Sequence, residues 1–163
     1  MAGFTTKTFK VHDDYMTPKS AWEAVQQYIP NGKVLWEAFY GNGDSGRYLR
    51  ELGYQVIHEE IDFFKENRGD IVVSNPPFSL KKEIIERLVA LEKPFMLIMP
   101  SSTLNCSYIR DNLKDNIQLI VPRRRIQFSK LENGELINTN KCNFDCFYYC
   151  YKMDLPRDII FLD

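Results

Sequence analysis

The segment Asn75-Pro76-Pro77-Phe78 puts an amide, a proline-locked backbone carbonyl and an aromatic ring into four consecutive residues. That set suits one task. Two oxygen acceptors hold a planar amino group by its N–H bonds, the ring lies against the heterocycle that carries it, and the nitrogen is presented for alkylation. A proline-rich turn with a chance asparagine has the same spelling, so position matters. The tetrapeptide follows Ile71-Val72-Val73, with Ser74 between, a short β-branched run of the kind buried in a parallel sheet. Neither proline offers an N–H to a ladder and both fix φ, so the strand must stop there. The amide therefore falls at the carboxyl edge of a sheet, where open α/β folds bind ligands.

A second constellation lies upstream. Val34-Leu35-Trp36 reads as another buried strand and runs into Glu37-Ala38-Phe39-Tyr40-Gly41-Asn42-Gly43. A helix should follow, with Asp44 or Ser45 as N-cap, Tyr48, Leu49 and Leu52 as its apolar stripe, and Gly53 at its stop. Tyr54 to His58 reads as a strand ending in Glu59-Glu60. Together these make a strand, glycine loop, helix, strand and acid: the nucleotide-binding half of a doubly wound fold. Glycines let a ligand approach the backbone, and the acid after the second strand is placed to accept from ribose hydroxyls. Gly41, Gly43 and Gly46 also spell G-x-G-x-x-G, so a nicotinamide dinucleotide is a rival ligand. Against it stands Glu37, which would repel a pyrophosphate but could hold an ammonium. The chain is also short for a separate substrate domain, and that reading leaves Asn75 to Phe78 without a task.

Glu37-x-Phe39-x-Gly41-x-Gly43 followed by Asn75-Pro76-Pro77-Phe78 resembles the S-adenosylmethionine-dependent amino-methyltransferases. The closer resemblance is to the DNA adenine-N6 methyltransferases of phages and restriction–modification systems. Asp14-Tyr15-Met16-Thr17-Pro18 with Trp22 is similar to their Tyr-x-Thr-Pro…Trp opening, and Ser79 and Pro100-Ser101 also fit; the likeness runs from Asp14 to Phe128. It implies site-specific methyl transfer to adenine N6, with the Asn75 oxygen and the Pro76 carbonyl accepting the amino hydrogens, Pro77 fixing the turn and Phe78 stacking on the base. It implies that Tyr15, Thr17 and Pro18 line the methionine end of the cofactor, and that Glu37, Phe39, Tyr40, Gly41 and Gly43 surround it. Glu59 or Glu60 would take the ribose, while Asp62 reads the adenine amino group and Phe63 stacks on its ring. The chain departs from the family pattern at one place: only Ile61 separates Glu60 from Asp62. No metal and no covalent nucleophile is implied. The same tetrapeptide serves RNA adenine methyltransferases, and close variants serve protein glutamine methyltransferases. A fold that binds the cofactor without catalysis is disfavoured by the intact motif.

The positioning elements follow from the remaining pattern. Lys19 to Tyr28, Leu80 to Leu91 and Tyr108 to Leu113 read as helices; Phe95 to Met99, Ile117 to Val121 and Phe144 to Tyr151 read as strands, and Glu132 to Glu135 as a loop or hairpin turn. This alternation predicts one domain spanning residues 1–163: a three-layer α/β sandwich, Rossmann-like, with a mostly parallel sheet and an antiparallel terminal strand. No segment is left for a separate target-recognition domain, so a homodimer or a partner subunit becomes a candidate source of specificity. The 163 residues are 44% hydrophobic with net charge −1, so no global field draws in nucleic acid. Arg123-Arg124-Arg125 is the one dense basic run, beyond a strand expected to end at the same edge. With Lys81 and Lys82 it is the candidate contact to DNA, or alternatively RNA, phosphates. No h-region or membrane-length apolar run occurs, and the expectation is an intracellular enzyme of bacterial, phage or viral type. Of the four cysteines, Cys142, Cys146 and Cys150 are spaced by four but lack an evident fourth ligand, His12 and His58 being the only histidines. Packing thiols are expected.

Overall fold

The computed structural model describes residues 15–41, 43–132, 135–138 and 144–163. The three apolar runs singled out above form the middle of a seven-stranded sheet, as β2 (Val34–Trp36), β4 (Ile71–Ser74) and β5 (Phe95–Pro100). They are parallel, with Leu35 opposite Ile71 and Val72 opposite Phe95. All four residues of β4 are buried, as the run of β-branched residues requires of a strand covered on both faces. β3 (Gln55–Ile57) lies parallel outside β2. On the other flank β9 (Cys146–Tyr151) runs antiparallel between β5 and β6 (Ile117–Val121), and β10 (Ile159–Phe161) closes that edge parallel to β6. The order is β10-β6-β9-β5-β4-β2-β3.

Alternation along each central strand sends side chains to two cores. Leu35, Val73 and Ile98 pack with Trp22 of α1 (Lys19–Glu23) and Leu49 of α2 (Asp44–Glu51). Trp36, Val72 and Leu97 pack with Ile84 and Leu88 of α3 (Lys81–Ala90) and Ile109 and Leu113 of α4 (Ser107–Leu113). The result is the expected Rossmann-like three-layer sandwich. From β2 the chain winds outward to β3, whereas β4 lies on the other side of β2 and leads to β5. The strand order therefore reverses between β2 and β4, which opens a crevice at their carboxyl ends.

Four local features differ from the expectations. The antiparallel strand is not the last: β9 sits inside the sheet and the parallel β10 follows it. Lys19 to Tyr28 is not one helix, because Val25 leaves helical geometry (φ −113°, ψ 9°) and the chain resumes as a 3-10 turn over Gln26–Tyr28. The Tyr54 hydroxyl lies 3.0 Å from the Gln26 carbonyl and 3.1 Å from that of Ile29, which holds this turn. The cap of α2 is neither Asp44 nor Ser45 but Gly43, in the left-handed region at φ +89°. Finally, a small second sheet joins β1 (Tyr15–Met16) to a hairpin of β7 (Ser129–Glu132) and β8 (Glu135–Asn138). Glu132 pairs with Glu135 across the expected turn. Asn133 and Gly134 themselves lie outside the described residues, as do His12, Asp14, Asn42 and Cys142.

Candidate active site

The crevice between β2 and β4 is lined by Tyr15, Met16, Thr17, Glu37, Phe39, Tyr40, Gly41, Ser45, Asn75 and Pro77. Residues more than thirty positions apart thus meet where the sheet reverses. Glu37 is the first residue past β2. Its amide N–H donates to the Ile57 carbonyl at 3.0 Å, and its side chain is 1% exposed. Its Oε1 accepts from the Phe39 amide at 3.1 Å and from the hydroxyl of Ser74, the last residue of β4. The carboxyl therefore ties together the ends of the two strands that flank the crevice. Burial pushes its pKa up from 4.5 to about 8, outweighing the two hydrogen bonds, which act in the opposite direction.

The glycine loop folds tightly beside it. Gly41 has φ +60° and Gly43 φ +89°, left-handed conformations that favour glycine. The Gly43 N–H donates to the Tyr40 carbonyl at 3.0 Å. Beneath the loop, the buried His58 ring lies 4.7 Å from the Tyr40 ring, with Nε2 3.0 Å from the Tyr40 carbonyl. Burial lowers the His58 pKa to about 4, so the ring is neutral around pH 7. A Cβ on Gly46 would fall 1.9 Å from His58 Nδ1, so the third glycine of the G-x-G-x-x-G spelling serves the packing of α2 on this ring.

Asn75 emerges directly from β4. Its Nδ2 donates to the Tyr15 carbonyl of β1 at 3.2 Å, which turns the amide so that the other atom is the oxygen. That Oδ1 is buried and has no hydrogen-bond partner among the described residues, and the same holds for Oγ1 of Thr17. Buried polar atoms are rarely left so. Pro76 and Pro77 are both buried. Phe78 opens a 3-10 turn (Phe78–Leu80), and its ring meets Phe144 edge-on at 5.8 Å while Lys81 Nζ lies 5.6 Å from its centroid. Phe144 in turn stacks on Phe128 at 5.9 Å and meets Tyr15 edge-on at 5.6 Å. Sequence reasoning missed this aromatic group. It also placed none of Met16, Ser45 and Ser74 in the site. A hydroxyl closing an otherwise apolar strand was the available signal for Ser74.

The other expected site residues sort clearly. Pro18 adjoins the crevice without lining it. Glu59 and Glu60 are exposed at the carboxyl end of β3, and neither lines the crevice. Asp62 Oδ1 accepts from the Phe64 amide at 3.0 Å, whereas Oδ2 is buried without a hydrogen-bond partner among the described residues and stands 4.0 Å from Lys65 Nζ. Phe63 was expected to stack on a cofactor ring. In the structure it is fully buried, packed against Trp36 at 5.6 Å and Phe39 at 5.0 Å with the Arg87 guanidinium 5.7 Å away. Lys81 is engaged locally, donating to Thr103 Oγ1 at 3.1 Å, while Lys82 is exposed. Arg123, Arg124 and Arg125 are exposed just past β6, and Arg125 pairs with Asp145 at 2.9 Å. Cys146 and Cys150 are buried in the core beside α1 and α2. Among the described residues no group of His, Cys, Asp or Glu could hold a metal ion, and no helix is long and apolar enough to cross a membrane.

A methyltransferase from Pyrococcus furiosus has a TM-score of 0.45 to this structure at 12% identity, over 88% of each chain. The Type II methyltransferase M.EcoRI of Escherichia coli is 36% identical over 58 residues, which are 36% of this chain and 17% of that protein. The model of the family "Adenine-specific methyltransferase EcoRI" matches residues 7–142, most of the sequence and both halves of the crevice. The chain belongs to the EcoRI family of adenine-specific methyltransferases.

Proposed function

We propose that the protein transfers a methyl group from S-adenosylmethionine to the N6 amino group of adenine in DNA. The observation that carries this reading is the orphaned Asn75 Oδ1, fixed at the strand reversal by the Tyr15 carbonyl. The adenine N6 lone pair is delocalised into the ring, so the amine is a poor nucleophile. In this reading Asn75 Oδ1 and the Pro76 carbonyl each accept one N6–H. Both acceptors gain strength as positive charge develops on nitrogen, so they favour the transition state over the ground state. Phe78 stacks on the base, a contact worth about 1–3 kcal/mol and comparable to the cost of unstacking a flipped nucleotide.

The residues present fit the cofactor. Thr17 Oγ1 and Asp62 Oδ2 are buried polar atoms that lack hydrogen-bond partners among the described residues, and the left-handed glycines let a ligand approach the loop. S-adenosylmethionine, when bound, supplies an electrophilic sulfonium methyl. Glu37 would hold its ammonium with Tyr15, Thr17 and Tyr40 alongside, Glu59 or Glu60 its ribose, and Asp62 its adenine amino group. We take residues 1–163 as one methyltransferase domain acting inside the cell, with target recognition by short loops, a second copy or a partner subunit.

Incubation with methyl-labelled S-adenosylmethionine and separate DNA, RNA and protein pools tests the reading. Label recovered as N6-methyladenine in DNA is expected. Label confined to RNA or to protein glutamine would overturn the substrate assignment.

A further inference from the structure

We propose that the groove beside the crevice carries the unpaired DNA strand adjoining the target adenine, with its phosphates on Arg123 and Arg124 and its bases over an apolar floor. This rests on the DNA reading above. The groove, about 720 Å³, runs between α1 and the segment that leaves β6. Its α1 wall is built from small side chains, Ser20, Ala21 and Ala24, and its floor includes Ile126 and Tyr148. It joins the crevice at two places. Thr17 lines the crevice while Pro18 lines the groove, and Met16 of the crevice pairs in register with Ser129 of the groove. A strand leaving a base in the crevice therefore meets the groove next.

Charge selects the occupant. Arg123 and Arg124 are exposed and have no ion pair among the described residues, while Arg125 faces Asp145. Among the described lining residues Asp163 is the one carboxylate. On a chain of net charge −1, this is a local concentration of positive charge that suits a polyanion. The apolar floor adds a second requirement. A duplex offers mainly phosphates to a surface, whereas an unpaired strand also offers base faces that pack on apolar ground.

Fluorescence anisotropy with a fluorescein-labelled single-stranded DNA, and with the matching duplex, across salt concentrations tests this on the full chain. Arg123→Ala with Arg124→Ala should weaken single-strand binding at least tenfold and make the salt slope shallower by about 1.4, roughly 0.7 per phosphate contact. Ala24→Trp, a neutral change at an exposed site on the opposite wall, should weaken it about tenfold, the loss of one stacked base, with the slope unchanged. Melting temperature and S-adenosylmethionine affinity by calorimetry should not move in either variant, which separates these effects from misfolding. Ala24→Trp binding like the unmodified protein would overturn the groove, and so would equal losses for duplex and single strand. Absence of methyl transfer by the unmodified protein would instead sink the activity reading, since the binding series needs no turnover.

Discussion

Asn75 holds its acceptor free because three independent constraints act on it. β4 delivers it, two prolines stop the chain after it, and the Tyr15 carbonyl takes its N–H. Asn75→Ala should therefore lower methyl transfer by about 10²–10³-fold, the usual cost of deleting a preorganised polar partner, with S-adenosylmethionine affinity near unchanged by calorimetry. Lost affinity with retained activity would reverse the roles. Glu37 makes a pH prediction. Its pKa is about 8 in the fold against an ordinary 4.5, so between these values the native state holds a proton that the unfolded chain has released. Stability is then fully present below pH 4.5 and declines as pH rises through about 8. Glu37→Gln should flatten the fall of melting temperature across that window. An ionised Glu37 attracts an ammonium, so cofactor affinity should rise toward pH 8 with proton release, read by calorimetry in two buffers of different ionisation enthalpy. These residues were legible in the sequence because their chemistry is written locally, at a strand end. The aromatic group that Tyr15 forms with Phe128 and Phe144 was not, since only long-range strand pairing gathers it; Tyr15 and Asn75 are 60 positions apart.

Among the elements, α2 shows what the glycines are for. Gly46 sits inside the helix, where Ala would ordinarily gain about 1 kcal/mol. Here the added methyl collides with His58, and Gly46→Ala should instead destabilise by about 1–3 kcal/mol in denaturant melts. His58→Ala in the same chain should recover most of that loss. If Gly46→Ala alone is stabilising, the packing argument fails. Gly43→Val meets both the φ +89° strain and the Tyr40 hydroxyl 3.3 Å from its Cβ, so it should weaken cofactor binding. Apolar periodicity gave α2, α3, α4 and the interior strands. It missed the break at Val25, because a valine keeps the apolar stripe intact while its backbone leaves the helix. It missed β1 because a two-residue strand has no period to detect.

At the scale of the whole molecule, stability resides in the sheet's interior and not at its rim. Leu97 is fully buried in β5, and Leu97→Ala should cost about 2–5 kcal/mol by denaturant titration. Phe161 on the edge strand β10 is 74% exposed, and Phe161→Ser should stay within about 0.5 kcal/mol of the parent. A large loss at Phe161 would mean that this edge is covered in solution. The sandwich was legible from the alternation of strands and helices. The position of β9 inside it was not, because register between distant strands leaves no local mark.

That inserted strand has a temporal consequence. β6 precedes β9 in the chain yet touches β5 only through it, Ile98 and Ile120 both standing opposite Tyr148. During vectorial synthesis β5 therefore waits as an unsatisfied, wholly apolar edge until residues 146–151 have emerged. Closure by so distant a segment makes folding slow and late, and a ribosome paused before that point would hold a nascent chain primed to aggregate.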